Sequence, residues 1–419
     1  MAVIEINNLG PVKHCCMTLE DFCVLTGPQA SGKSTIAKAI FFFRTIKDDC
    51  LSLYNKDLAG MGNGDLSRLL KKHLRGKFMQ MFGSSWGMSM DMRMSYQYGE
   101  HTYIKLELKE NFYPSAQNYI DFRFSKDILD FLKNLRTEED TRDQVLKRLQ
   151  DVFQDDFETV YIPAGRSLIT LLTTQLNYIL SAMDDGQKKS IDYCTQNYME
   201  RILRLKPLFS EGMRNMYYNK IYMTAIPLKK PILKKLMDTI DGILKGKYEY
   251  AGGEERLYIS DHQYVKLNYS SSGQQEVIWI LNLMFYYILE NRKIYLILEE
   301  PESHLYPEAQ SQIAEAMGLF LNAGNHMLVT THSPYILGSI NNLMYAGALV
   351  QKSPELVEKI IAREKHMHSE YTAAYYVKEG TLKNIMDDSE PLIQNSVIDG
   401  ISLKINDQMD QLLQIDMGE

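Results

Sequence analysis

Residues 22–35 read FCVLTGPQASGKST, and this stretch decides the fold. A short apolar strand runs into a glycine-rich turn, and residues 27–34 fit the pattern G-x-x-x-x-G-K-S/T. In this pattern the backbone N–H groups cradle phosphates, the lysine reaches the terminal phosphates, and the serine hydroxyl ligates Mg²⁺. We therefore predict a nucleotide site, followed by a helix from Ser34 to about Arg44. The residues predicted at the phosphates are Gly27, Ala30, Ser31, Gly32, Lys33, Ser34 and Thr35.

A second apolar strand ends in paired carboxylates. Residues 294–307 read IYLILEEPESHLYP, and strand alternation sends Glu299 and Glu300 to opposite faces. One carboxylate can then serve Mg²⁺ while the other orients or deprotonates a water. We assign Glu299 to the metal and Glu300 to the water, because a buried central strand of this kind ends beside the nucleotide.

Three further side chains are candidates for the same site. His332 ends the apolar strand in LVTTHSP, where it can hydrogen-bond a γ-phosphate. Gln80, in KFMQMFG, is a candidate ligand of Mg²⁺ or water, and the alternative is an ordinary surface glutamine. Arg166, in VYIPAGRS, either approaches a phosphate or a partner or belongs to a buried structural pair.

A polar turn of small residues precedes the most apolar helix, and residues 269–281 read YSSSGQQEVIWIL. The start of a helix exposes unpaired N–H groups and the positive end of the helix dipole, so this turn can bind an anion. Its residues are Ser271, Ser272, Gly273 and Gln274. The alternative is a serine N-cap completed by the glutamines. The phosphate loop already has its own helix, so a second helix start at the same phosphates would come from another copy of the protein.

These elements stand in the order of ABC-type ATPases, and the sequence resembles the OLD-like branch, which is related to SMC and RecF heads. The resemblance rests on GPQASGKST, SSSGQQ, EEPESHLYP and TTHSPYIL, with YIPAGRS before a helical insertion. The branch includes ATPase subunits of anti-phage systems such as Septu and PARIS. The resemblance implies an α/β fold: an ABC-type P-loop ATPase head with an antiparallel β subdomain and a helical insertion.

The resemblance also implies roles for residues. Two heads would sandwich ATP, with Ser271, Ser272 and Gly273 at the γ-phosphate of the partner. Catalytic roles would belong to Lys33, Glu300 and His332, and Mg²⁺ would be bound by Ser34 and Glu299. The chain departs from many ABC proteins in two places. In SSSGQQ, which stands in the place of the ABC signature, serine replaces a leucine and the first glycine, and at position 299 glutamate replaces an aspartate.

Other members of the ABC group are less consistent with the spacing. Positions 27 and 271 are 244 residues apart (271 − 27), which is more than a compact transporter subunit would use. The long heptad arms of a structural SMC protein are not seen in the sequence. A RecF/SMC-like DNA-repair ATPase is the main alternative, ahead of a transporter nucleotide-binding subunit.

Periodicity divides the chain into four regions. We predict an N-terminal lobe of the head at 1–125, dominated by sheet, and a mostly helical insertion at 126–250. The C-terminal lobe follows at 251–345, with the serine turn, the glutamate pair and His332. Residues 346–419 form an extension in which no nuclease motif is found. Within the insertion, VYIPAGRS reads as a strand.

Composition limits the partners and the compartment. The net charge of −7 argues against a protein whose whole surface binds nucleic acid. Two basic stretches, LKKHLRGK (70–77) and LKKPILKKL (228–236), could still contact the phosphates of DNA or RNA. Solvated helix faces are the alternative for both stretches. Five cysteines suggest no disulfide framework. The most apolar stretch, 277–289, is shorter than the roughly 20 residues of a membrane span, so we predict no membrane contact and a cytoplasmic protein.

The sequence therefore predicts an ATP-binding and ATP-hydrolysing switch that forms a homodimer or higher oligomer through its nucleotide sites. The resemblance implies that it regulates a separate effector, a nuclease, in anti-phage defence. The chain itself shows no D-x-D after an apolar strand, and Asp387 and Asp388 lie in a turn-like stretch. His366 and His368 stand in a charged segment and are predicted to be surface residues.

Overall fold

The computed structural model describes residues 2–58, 65–84, 87–110, 118–135, 141–172, 181–184, 191–223 and 228–417. The strands are β1 (Ala2–Leu9), β2 (Val12–Leu19), β3 (Phe22–Thr26), β4 (Arg93–Gln97), β5 (Tyr103–Lys109), β6 (Tyr119–Phe124), β7 (Glu158–Ile162), β8 (Lys247–Ala251), β9 (Glu254–Ser260), β10 (Gln263–Lys266), β11 (Ile294–Glu299), β12 (His326–Thr331), β13 (Thr372–Lys378) and β14 (Thr381–Asn384). The helices are α1 (Lys33–Arg44), α2 (Ile46–Leu58), α3 (Leu66–Phe82), α4 (Lys126–Asn134), α5 (Arg142–Phe153), α6 (Arg166–Leu172), α7 (Tyr193–Leu205), α8 (Gly212–Met223), α9 (Lys230–Leu244), α10 (Ser272–Leu289), α11 (Pro307–Asn322), α12 (Pro334–Leu349), α13 (Pro354–Ile360) and α14 (Asn395–Met417).

One large mixed sheet organises the protein. Its strand order is β6-β5-β4-β1-β2-β14-β13-β3-β12-β11-β7, and β8, β9 and β10 form a separate antiparallel sheet. The strands β13, β3, β12, β11 and β7 are parallel to one another, whereas the wing from β6 to β2 is antiparallel and β14 pairs antiparallel with β13. The predicted α/β class, with its antiparallel subdomain, is confirmed.

The central strands are apolar on both faces, because helices cover both sides of the parallel region. In β3 every residue is buried, and its side chains alternate between two cores. Phe22 and Val24 belong to the core that includes α9, α10, α11 and α12. Cys23 and Leu25 belong to the core that includes α1, α3 and the antiparallel wing.

The structure corrects two predictions about elements and adds two strands to the main sheet. Sheet does not dominate the N-terminal region, because α1, α2 and α3 occupy much of residues 33–82. VYIPAGRS is not strand throughout: β7 ends at Ile162, and α6 begins at Arg166. The C-terminal region supplies β13 and β14 to the main sheet, where β13 pairs with β3. The division into four regions otherwise stays a prediction.

Two polar side chains that were expected in water are buried. His366 is only 2% exposed, and its Nε2 lies 2.9 Å from the carbonyl of Ile361, so its assignment to the surface was wrong. Lys77, in the first basic stretch, is 4% exposed and donates to Asp49 Oδ2 at 2.6 Å. Lys77 therefore belongs to neither a solvated face nor a phosphate-binding patch.

A buried ion network joins α1 and α2 to the segment before β7. Asp155 accepts from Arg44 at 2.9 Å and pairs with Lys47 at 2.9 Å. Burial raises the pKa of Asp155, but the charges of Arg44 and Lys47 outweigh burial and hold that pKa below its ordinary value. The carboxylate is therefore required to compensate two buried cations.

We predict that Asp155→Asn lowers the free energy of unfolding by roughly 3 to 5 kcal/mol, because it leaves buried cations uncompensated. The neighbouring Asp156→Asn is the control, since Asp156 pairs with Lys293 on the surface. Such an exposed pair contributes about 0 to 1 kcal/mol. Urea unfolding of both variants measures the difference, and equal stabilities would show that the network is not structural.

Candidate functional site

The glycine-rich loop is held between two strands that leave no room for larger side chains. Gly27 has φ 142°, and a Cβ there would lie 2.2 Å from the carbonyl oxygen of Val377 in β13. Gly32 has φ 111°, and a Cβ there would lie 2.8 Å from Val12 in β2. Both positions therefore require glycine. The loop ends where α1 begins, so the first N–H groups of α1 face the site.

Lys33 is buried at the start of α1 and folds back onto the loop. Its Nζ donates to the carbonyls of Gly27 at 3.0 Å and Pro28 at 2.8 Å. Burial lowers the pKa of Lys33, and the carboxylates of Glu300, Glu302 and Glu299 oppose that shift. The ammonium group is thus held at the loop in reach of a phosphate, with three carboxylates acting on it.

The ends of three neighbouring parallel strands bring the predicted residues to one edge of the sheet. Thr26, the last residue of β3, pairs with Thr331 at the end of β12, and Glu299 at the end of β11 pairs with Thr330. The glycine-rich loop, His332 and Glu300 follow directly. The carboxyl edge of a parallel sheet is where α/β proteins bind ligands.

The paired glutamates have different environments. Glu299 is 5% exposed, and its Oε2 accepts from the backbone N–H of Ala164 at 3.3 Å. Its Oε1 is buried and makes no hydrogen bond within the described residues. The side chain of Glu300 is 35% exposed, and its backbone has φ 43°. One carboxylate is therefore enclosed, whereas the other is open to a water or a substrate.

His332 lies beside Glu300 and is positioned by a residue that the sequence analysis missed. The Nε2 of His332 is 3.5 Å from Glu300 Oε1. Glu302 Oε1 accepts from the backbone N–H of His332 at 2.7 Å and from the Thr331 hydroxyl at 2.9 Å. Glu302 therefore fixes the end of β12 at the site. The only signal in the sequence was a third glutamate in EEPE.

The serine turn forms the N-cap of α10 and leaves the hydroxyl of Ser272 exposed. Ser271 Oγ accepts from the N–H of Gln274 at 3.3 Å, and Gln274 Oε1 accepts from the N–H of Ser271 at 3.0 Å, which is a capping box. Ser271 and Ser272 are exposed, and Gly273 is buried against the carbonyl of His304. The Ser272 hydroxyl has no hydrogen bond with any described residue. The N-cap is thus present, and one exposed hydroxyl remains for an anion.

Gln80 is held by the helical region. Its Nε2 donates to Gln196 Oε1 at 3.3 Å and to the carbonyl of Ile191 at 3.5 Å. These contacts bring it to the start of α7 and do not place it with the glutamate pair. Its assignment to Mg²⁺ or water stays a prediction without support from the geometry.

Arg166 is a buried structural residue, which decides between the two alternatives left open above. It has no exposed surface and forms an ion pair with Glu276 of α10 at 3.3 Å. Its Nη1 also donates to the carbonyl of Glu299 at 2.6 Å. The enclosed guanidinium can reach neither a phosphate nor a partner directly.

A cavity of about 570 Å³ opens beside the start of α1. It lies between the turn that joins β1 to β2, the helix α1 and the end of α3. Its lining includes Asn8, Lys13, Ser34, Thr35, Lys38 and Met88. The site thus continues from the phosphate loop into a space with both polar and apolar walls.

Residues 1–337 match the model of the AAA_15 family, described as AAA ATPase domain. The chain belongs to this ATPase family. Nucleotide binding therefore follows from family membership, and Mg²⁺ usually accompanies the nucleotide in such proteins. No curated protein matches the chain. Among the described residues, no helix combines the length and apolar character that a membrane span requires.

Three solved structures of SMC heads match the chain at low sequence identity. An SMC head bound to the C-winged helix domain of ScpA has 11% identity and a TM-score of 0.41, covering 91% of this chain and 96% of that chain. The SMC head domain from Thermotoga maritima has 14% identity and a TM-score of 0.33, covering 81% and 92%. An SMC head with an extended coiled coil, bound to the C-terminal domain of ScpA and derived from Pyrococcus furiosus, has 11% identity and a TM-score of 0.37, covering 92% and 96%.

The donors present fit Mg²⁺. A buried carboxylate oxygen without a donor is costly, and Glu299 Oε1 is such an atom, with the Tyr161 hydroxyl near it but outside hydrogen-bond geometry. A hard cation would satisfy this oxygen. Within the described residues no group of three or more His, Cys, Asp or Glu side chains could hold a metal. Mg²⁺ needs no such group when one carboxylate, a hydroxyl and phosphates bind it.

Proposed function

We propose that this protein is an ATP-hydrolysing switch of the OLD-like type whose heads associate face to face around ATP. The observation that carries this proposal is the meeting of the glycine-rich loop, Glu300 and His332 at one sheet edge. Lys33 acts on the terminal phosphates, and Ser34 and Glu299 would hold Mg²⁺, which supplies charge neutralisation at the phosphates when bound. The cavity beside α1 would take the remainder of the nucleotide.

Glu300 is the residue that we assign to the attacking water. Its carboxylate is partly exposed and 3.5 Å from His332 Nε2, so it can accept a proton from water while remaining oriented by its neighbours. Ser303 also donates to Glu300 Oε2 at 3.4 Å. His332 is fixed through its backbone by Glu302, and its partly exposed ring, beside Glu300, can donate to a γ-phosphate.

The serine turn supports association. Ser271 and Ser272 are exposed at the start of α10, where the helix dipole favours an anion. The phosphate loop of the same chain is served by α1, so the turn would close over the triphosphate of a second copy. A two-fold pair of this kind contains two composite sites.

The partner and biological role rest on the resemblance. We propose that the ATP-bound pair regulates a separate effector, a nuclease, in anti-phage defence. The alternative is a RecF/SMC-like repair ATPase that acts on DNA. Measuring hydrolysis with and without double-stranded DNA separates them: strong stimulation by DNA favours repair, and an unchanged rate favours an effector bound through protein contacts.

We predict that Lys33→Ala weakens ATP binding roughly 100-fold, because charge-assisted bonds to phosphate contribute about 1.5 to 3 kcal/mol each. Titration calorimetry with Mg²⁺ and ATP measures the affinity. The exposed Lys352→Ala is the control and should bind as the wild type does. Equal ATP affinities of the two variants would contradict the placement of the nucleotide at the glycine-rich loop.

A further inference from the structure

Arg166 connects three elements around the site through one buried guanidinium. Nη1 donates to the carbonyls of Pro163 at 2.7 Å and Glu299 at 2.6 Å, and Nη2 donates to the carbonyl of Glu300 at 2.9 Å. Nε donates to the carbonyl of Glu276 at 3.0 Å. The end of β11, the loop before α6 and the first turns of α10 therefore share one charged group.

Glu276 completes this connection from the side of α10. Its Oε2 accepts from the N–H of Arg166 at 3.0 Å, and its Oε1 accepts from the N–H of Ser167 at 2.9 Å. The carboxylate thus caps α6 as well as pairing with the guanidinium. Glu276 is 1% exposed and lies four residues after Ser272, so it moves with the serine turn.

Glu300 receives the other end of the connection. Its φ of 43° is a conformation that non-glycine residues rarely adopt, and it persists only where surrounding contacts hold it. Arg166 holds its carbonyl, and the N–H of Glu300 donates to the carbonyl of Thr330 at 2.9 Å. A shift of α10 would reach Glu300 through charged hydrogen bonds, with no flexible segment between.

We propose that Arg166 and Glu276 are positioning residues that couple the seating of the serine turn to the placement of Glu300. Hydrolysis would then depend on association, because a phosphate held by the turn sets the position of α10 and, through Glu276 and Arg166, the backbone at Glu300. This inference rests on the proposed function. A displacement of the Glu300 carboxylate by about 1 Å is enough to change turnover about 100-fold.

The first test is Glu276→Gln, which keeps the shape of the side chain and removes its charge. We expect kcat to fall about 100-fold, while KM, ATP affinity and ATP-driven association stay within about twofold of the wild type. Glu290→Gln is the matched control, because Glu290 follows the other end of α10 and pairs with Lys220. A purely structural role would lower the fraction of protein that binds ATP and kcat by the same factor, which would overturn the proposal.

The second test leaves the core unchanged and holds even if Glu276→Gln does not fold. Hydrogen–deuterium exchange of peptides covering 164–170 is compared between wild-type protein and Ser272→Arg, both with Mg²⁺ and a non-hydrolysable ATP analogue. Exchange is resolved at the amides of Arg166 and Ser167, which donate to the buried carboxylate of Glu276, so direct coverage by a partner does not explain protection there. We expect at least tenfold slower exchange in the associated wild type, and equal exchange would overturn the coupling. If the wild type binds the analogue without associating, the proposed function fails instead.

Discussion

Glu300→Gln is expected to bind ATP as tightly as the wild type and to hydrolyse it roughly 1000-fold more slowly. A positioned general base contributes about 10² to 10⁴ in rate, and glutamine keeps the shape and neighbours of Glu300 without accepting a proton. The ATP-bound pair should therefore accumulate. Single-turnover hydrolysis with labelled ATP, together with a binding titration, separates the two quantities.

Variants of two other glutamates are compared with Glu300→Gln, and the first of them is the control. Glu379 has φ 52° and is exposed after β13, so Glu379→Gln tests whether altering a glutamate in a left-handed conformation matters by itself. It should hydrolyse ATP normally. Glu299→Gln should weaken Mg²⁺-dependent binding, because its enclosed oxygen would lose its charge. Full turnover in Glu300→Gln would show that another residue accepts the proton.

Ser272→Arg is expected to leave ATP binding by the single chain intact and to abolish ATP-driven association. Losing one charge-assisted bond at each of two composite sites costs about 3 to 6 kcal/mol, or roughly 100-fold to 10⁴-fold in the association constant. Light scattering with and without ATP measures the change. Ser272 is preferred to Ser271, because Ser271→Arg also removes the N-cap of α10 and about 1 kcal/mol of helix stability.

Ser353→Arg is the matched control for this prediction. Ser353 is likewise an exposed serine at the start of a helix, α13, and its side chain forms no cap hydrogen bond. It therefore tests the effect of an added arginine at a helix start away from the site. Association that survives in Ser272→Arg as it does in Ser353→Arg would show that the serine turn does not meet a triphosphate.

The parts of the site that a sequence can predict are those built from local pattern. Apolar strands that end in polar clusters identified β3, β11 and β12, and the helix after Gly32 was placed to within one residue. Strand alternation was expected to send Glu299 and Glu300 to opposite faces, but β11 ends at Glu299 and Glu300 has φ 43°, so the difference in their burial arises in the turn after the strand. Most of the fold could therefore be predicted from local sequence pattern.

The parts that could not be predicted depend on contacts between distant segments. Glu302 acts on β12, and Glu276 acts on the start of α6, although neither is near its partner in sequence. The one local sign of Glu276 was a carboxylate directly before the apolar run of α10. The strand β13 was missed because TAAYYVK shows no clear alternation and gains its place only by pairing with β3.

A mixing experiment tests most directly whether one triphosphate is shared by two molecules. Lys33→Ala and Ser272→Arg should each be inactive alone, since each damages both sites of a symmetric pair. A mixed pair, however, contains one site with both defects and one site with neither. An equal mixture should recover hydrolysis up to about half of the wild-type rate, because only mixed pairs keep an intact site to hold them together and each has one working site out of two. A mixture as inactive as its components would contradict the shared site.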